Sequence, residues 1–106
     1  MIIQFNTDNN ITGSEEVSAQ LTTLISDKLS RFSSKLTRVE VHLVDENGDK
    51  GGQNDIRCVL EARVEGRQPI AVTSHGNSKK EAVDGAIHKL KSALDSVLGR
   101  LNEHQQ

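Results

Sequence analysis

Aromatic side chains are scarce in this 106-residue chain, which has two phenylalanines and neither tryptophan nor tyrosine. Proteins that read unpaired nucleic-acid bases stack them on aromatic rings, so we do not expect that mode of binding here. The single cysteine, Cys58, cannot close an internal disulfide and cannot alone build a cysteine-rich zinc site. Stability must therefore come from packing of aliphatic side chains.

Long hydrophobic runs are also missing, and no segment is apolar over the length that a bilayer requires. The N-terminal residues 1–6 lack the basic start and the apolar stretch of a secretory signal. A mass of 11.6 kDa has room for one core. We therefore expect residues 1–106 to form a single cytoplasmic domain.

Hydrophobic periodicity predicts the order strand, helix, three strands, helix. Apolar residues alternate with polar ones at 2–6, 39–43, 56–64 and 70–72, which predicts four strands. Steps of three and four predict one helix from Ser14 to near Ser34, with a stripe that continues to Leu36, and a second from Ser78 to Leu101. Because the strands have one apolar side, the pattern favours an α+β fold with two helices on one face of a four-stranded sheet.

One acidic stretch has the spacing of metal ligands. Asp45, Asn47 and Asp49 match the first three ligands of an EF-hand, but Lys50 and Ile56 stand where that loop needs glycine and glutamate. We interpret residues 45–55 as an acidic loop and expect no metal there.

The residues that could act as nucleophile and base are not arranged for catalysis. Cys58 shares the apolar side of its strand with Ile56 and Leu60, where a thiol stays protonated, so we interpret it as a core residue. The four histidines are scattered, and His42 lies on the polar side of its strand. No motif supplies a nucleophile with its base, so we expect neither an enzyme nor a cofactor.

Charge is distributed unevenly along the chain. Thirteen basic and fifteen acidic residues give a net charge of −2, whereas nucleic-acid-binding domains are usually basic. The acids concentrate in the 45–55 loop, and the cations in and after the first helix and in the second. Four cations between residues 28 and 38 have no acid among them, and five more follow in the last helix. This pattern predicts a basic surface for a nucleic-acid backbone, and an ordinary solvated helix face stays as the alternative.

The last helix resembles a family signature. Residues 82–94 are similar to the second helix of the ribosome hibernation promoting factor and ribosome-associated inhibitor family, also called sigma-factor modulation proteins. The matching residues are Ala82, Val83, Asp84, Lys89, Leu90 and Leu94. The order of elements, the Asn-rich turn before the first helix, Lys28-Leu29 and the segment 38–43 also resemble the family.

The resemblance implies a β-α-β-β-β-α fold and a bacterial, stress-linked hibernation factor. Such a protein lays basic residues of two neighbouring helices on rRNA in the mRNA and tRNA channel of the small ribosomal subunit, and blocks translation sterically. Partners would be that subunit and its rRNA, with no DNA and no membrane, and self-association stays open. The residues assigned to rRNA binding are Lys28, Arg31, Lys35, Arg38, Lys79, Lys80, Lys89 and Lys91, of which Lys28, Arg31 and Lys89 match the family best.

Two departures from the family pattern keep a second interpretation open. Lys80 stands where the family usually has an aromatic residue, and Ser92 where it has a basic one. A diverged paralogue could instead be a protein-interaction module that uses the open sheet face with Val44, Val59 and Ala71.

Overall fold

The computed structural model describes residues 1–7, 15–45 and 56–104. Its elements are β1 (Ile2–Thr7), α1 (Glu15–Lys28), β2 (Leu36–Asp45), β3 (Ile56–Val64), β4 (Ile70–Gly76) and α2 (Lys79–His104). The strands form one sheet in the order β1-β2-β3-β4, in which β1 is parallel to β2 and the other pairs are antiparallel. This confirms the predicted α+β fold and element order. Among the described residues, no helix is long and apolar enough to cross a membrane.

The alternation in the strands produces one covered sheet face. Val41 pairs with Phe5 on one side and with Leu60 on the other, so alternate residues of neighbouring strands share a face. Both helices pack on that face, and the side chains they cover include Val39, Val41, Leu43, Cys58 and Leu60, each at most 1% exposed. The neighbouring residues of each strand point to the opposite face, which we call the open sheet face.

The first helix is shorter than its periodicity predicts. It ends at Lys28, and Ser30–Phe32 form a short 3₁₀ turn that buries Phe32. Serines at 30, 33 and 34 are weak helix formers, and a 3₁₀ turn buries residues at steps of three that resemble a helical stripe. Leu36, which the stripe assigned to the helix, is instead the first residue of β2 and pairs with Val64.

The start of β2 was hidden by an irregularity in the ladder. The register between β2 and β3 shifts between Leu36 and Arg38, so simple alternation is visible only from Val39 onward.

The second helix follows its prediction closely, because the Glu81 backbone N–H donates a hydrogen bond to Ser78 Oγ at 3.1 Å and caps the first turn.

Two glycines bring α2 close to β4. A Cβ added at Gly76 would lie 2.6 Å from the Ala82 backbone nitrogen, and one at Gly85 would lie 2.3 Å from Ser74 Oγ. Both distances are shorter than van der Waals contact, so a side chain at either position would force a neighbour to shift: backbone at Gly76 and the Ser74 side chain at Gly85. Ser74 is itself buried.

Gly85→Ala should therefore destabilise the fold, although alanine is intrinsically favoured in a helix by about 1 kcal/mol. Overpacking usually costs about 1–3 kcal/mol, so after the gain in helix propensity we expect a net loss of up to about 2 kcal/mol in the free energy of unfolding, measured by urea denaturation. In a Ser74→Ala background the clash with Oγ is absent, so the same substitution should cost less. An equal cost in both backgrounds would show that Ser74 is not the obstacle.

Candidate nucleic-acid interface

A groove runs between α1 and α2 on the outside of the helical layer. At one end Leu24, Asp27 and Lys80 line a cleft of about 410 Å³. Further along, Lys28 of α1 and Lys91 of α2 line a second cleft of about 190 Å³. We call this surface the interhelical groove; its charged and titratable residues are Asp27, Lys28, Arg31, Lys79, Lys80, Asp84, His88, Lys91 and Asp95.

The residues of α2 that face the groove form one stripe. Positions 80, 84, 88, 91 and 95 are separated by steps of four and three, so they lie on the same side of the helix. Early residues of α1 lie beside early residues of α2, and later residues lie beside later ones. The two helices therefore run in the same direction along the groove.

An ion pair closes the far end of the groove. One terminal nitrogen of Arg31 contacts both carboxylate oxygens of Asp95, at 2.6 and 2.7 Å. The side chains are 59% and 54% exposed, so water screens the pair. The Arg31 guanidinium also lies 4.6 Å from the centre of the Phe32 ring, which holds it over the 3₁₀ turn.

The groove is only weakly basic, because acids alternate with cations. Its five cations, Lys28, Arg31, Lys79, Lys80 and Lys91, face three carboxylates, which leaves a formal charge of +2 when His88 is neutral. The sequence prediction set the cations of the last helix against its acids, but it did not identify that Asp84, His88 and Asp95 share one stripe with Lys80 and Lys91. The signal was available in the four- and three-residue spacing of the last helix.

The predicted rRNA-binding residues do not all lie on this surface. Lys28, Arg31, Lys79, Lys80 and Lys91 line or adjoin the groove. The side chains of Arg38 and Lys89 lie elsewhere, and Lys35 lies in the turn before β2.

Arg38 lies on the open sheet face, where a terminal nitrogen is 3.3 Å from Glu40 Oε1. Lys35 is in the turn before β2, and its carbonyl accepts a hydrogen bond from the Glu65 backbone N–H at 2.9 Å. The Arg38 guanidinium therefore belongs to another surface of the molecule.

Lys89 is on the side of α2 that faces away from α1. Its Nζ donates a 2.7 Å hydrogen bond to the Thr73 carbonyl on β4, the edge strand next to that side of the helix. The side chain thus covers part of a sheet edge while remaining exposed.

The structure confirms that Cys58 is a core residue. The thiol is fully buried, and burial raises its pKa from the ordinary 9.0 to about 12, as expected for a core residue.

The residues that the structure describes contain no group of three or more histidine, cysteine or acidic side chains that could hold a metal ion. The EF-hand-like spacing at 45–49 lies almost entirely outside the described residues.

Thiol labelling tests the burial of Cys58. In the native protein, Cys58 should react with a soluble disulfide reagent only as fast as the protein unfolds. In denaturant the same thiol should react at once. Since the unfolded thiol ionises at lower pH than the folded one, the free energy of unfolding should fall as pH rises above 9.0, and Cys58→Ala should remove that part of the slope. Rapid labelling of the native protein would contradict this account.

Comparison with protein families gives a match over most of the chain. Residues 9–102 match the ribosomal S30AE family model, described as sigma 54 modulation protein / S30EA ribosomal protein. Comparison with curated proteins finds no match.

Solved structures share the fold at low sequence identity. The N-terminal domain of Protein Y from Thermus thermophilus superposes with a TM-score of 0.71 at 15% identity, over 92% of this chain and 99% of that domain. A ribosomal subunit interface protein from Coxiella burnetii superposes with a TM-score of 0.63 at 18% identity, over 93% and 99%. At these identities, the likeness establishes the fold.

Proposed function

The chain belongs to the sigma 54 modulation protein / S30EA ribosomal protein family, which confirms the resemblance in its last helix, and on that premise we propose that it is a ribosome-associated translation inhibitor. It acts without catalysis, by occupying the mRNA and tRNA channel of the small subunit. The similarity to a ribosomal subunit interface protein supports a ribosomal partner.

The interhelical groove is the proposed contact with rRNA. The observation that carries this assignment is that Lys28 and Lys91, from different helices, line one cleft beside Arg31. Two parallel helices on a sheet form a rigid surface, and folded RNA is recognised largely by shape and by its phosphates. The chain has few aromatic residues for base stacking, which also favours backbone contacts.

Binding requires Arg31 to exchange partners. In the free protein its guanidinium is held by Asp95, and an exposed pair of this kind contributes about 0–1 kcal/mol. A phosphate that enters the groove offers the same charge-assisted hydrogen bonds, so the exchange costs little. Asp95 therefore weakens rRNA binding without preventing it.

Two lysines of α2 provide a matched test of the groove. Lys91→Ala should weaken co-sedimentation with purified small subunits at low salt, because it removes a cation that lines the groove. Lys89→Ala removes the same charge only two positions away, on the side bonded to Thr73, and should bind nearly as well as the parent protein.

If Lys89→Ala weakened binding more than Lys91→Ala, the rRNA contact would lie on the β4 side of α2 and not in the groove. Equal, unchanged binding by both variants would exclude either lysine as a contact. Each variant should keep its far-ultraviolet circular dichroism, since both side chains are at the helix surface.

Removal of the competing carboxylate should strengthen binding. Asp95→Asn leaves a side chain of similar size but frees Arg31, so we expect several-fold tighter binding to small subunits at moderate salt. Arg31→Gln should weaken binding, and the double variant should resemble Arg31→Gln alone. If Asp95→Asn tightened binding equally in the absence of Arg31, the ion pair would not be the cause.

The salt dependence should reflect the number of groove cations. If about four phosphates are neutralised, log K should fall against log salt with a slope of about −3. Lys91→Ala should reduce that slope by about one. Affinity that does not change with salt would contradict phosphate contacts by the groove.

The second candidate function is a protein-interaction module that uses the open sheet face. On this face Arg38 and Arg57 each have a buried Nε that makes no hydrogen bond within the described structure, so neither guanidinium is fully hydrogen-bonded in the free protein. Val59 lies between His42 and Thr73 in the same region. This candidate predicts that Val59→Lys abolishes partner binding, whereas the ribosomal candidate predicts unchanged co-sedimentation.

A further inference from the structure

The two edges of the sheet are protected to different degrees. At β4, the Lys89 ammonium donates a hydrogen bond to the Thr73 carbonyl. Pro69, which has no backbone N–H, lies just before the strand. Lysine and proline at an edge are features that hinder pairing with another chain. The other edge strand, β1, contains no charged residue, no proline and no glycine.

Burial at the β1 edge is incomplete. Among the described residues, the exposed large hydrophobic side chains are Met1 and Ile2, at 37% and 65% exposure. Ile3 and Phe5 are only partly buried, although Val39 and Val41 beside them on β2 are fully buried. The apolar surface that remains on this part of the sheet is thus concentrated along β1.

The sequence of β1 is suited to pairing with itself. If two copies are aligned antiparallel about Gln4, then Gln4 faces its own copy, Ile3 faces Phe5 and Ile2 faces Asn6. Ile3 and Phe5 lie on the covered side of the sheet in both copies, so the pairing extends both cores at once. Gln4 is exposed, and its amide can both donate and accept a hydrogen bond with the equivalent amide.

We propose that β1 is a self-association edge, through which two copies of this chain form a symmetric dimer with one continuous eight-stranded sheet. The two-fold axis passes beside Gln4 and is perpendicular to the sheet, which puts all four helices on the same face. A second copy fits better than an unrelated strand because the pairing is self-complementary and brings no charged residues of β1 together. The proposal does not depend on ribosome binding.

Charge substitutions at Gln4 test the two-fold pairing, because symmetry makes each new charge face itself. By light scattering across a concentration series, the parent protein should approach twice 11.6 kDa. Gln4→Lys alone and Gln4→Glu alone should each shift the mass toward 11.6 kDa. An equimolar mixture of the two variants should recover the dimer, since lysine then faces glutamate.

Ala71→Lys is the matched control, because it puts the same charge on an exposed position of the other edge strand. It should dimerise like the parent protein. A parent protein that stays at 11.6 kDa at the highest concentration reached, or a Gln4→Lys dimer as stable as the parent's, would overturn the proposal. Failure of the mixture to recover the dimer would exclude pairing about Gln4.

Discussion

One sheet face has to cover the apolar stripes of both helices, and the rest of the structure depends on that constraint. The sheet offers a single face on which alternate residues are buried, and each helix has one buried stripe. The parallel crossover through α1 and the direct connection from β4 to α2 make the helices run in the same direction. They therefore meet side by side, and a groove between them follows from the packing.

The packing also determines which charges become neighbours. Residues that border a buried stripe on the α1 side of α2 must face α1, whatever their sign. Lys91 is consequently brought to Lys28, but Asp84 is brought there too, and Asp95 reaches Arg31. The net charge of −2 for the whole chain is therefore a poor guide to this surface, because the local formal charge is small and positive. The affinity of this surface for phosphates would depend on the free energy needed to separate its cations from these carboxylates.

Much of the fold could be predicted from the sequence because the determinants are local. Alternation placed Cys58 in the core, and the cap formed by Ser78 marked the start of α2. The end of α1 could not be predicted, because the 3₁₀ turn buries Phe32 and the start of β2 buries Leu36, at spacings that a longer helix would also show.

The candidate site was predicted only in part. Residue spacing identifies cations on a helix, but the side of α2 that faces α1 depends on tertiary packing. The spacing of Lys89 and Lys91 puts them on different sides of α2, but only the fold shows which of the two sides faces α1. The contact between Arg31 and Asp95 joins residues 64 positions apart, so no local pattern could reveal it.

A cryo-electron microscopy reconstruction of the chain bound to small ribosomal subunits at low salt would test the proposed binding mode. We expect density in the mRNA and tRNA channel, with the interhelical groove against rRNA phosphates and the open sheet face turned away. Density that places the open sheet face on the subunit, or that lies outside the channel, would contradict it.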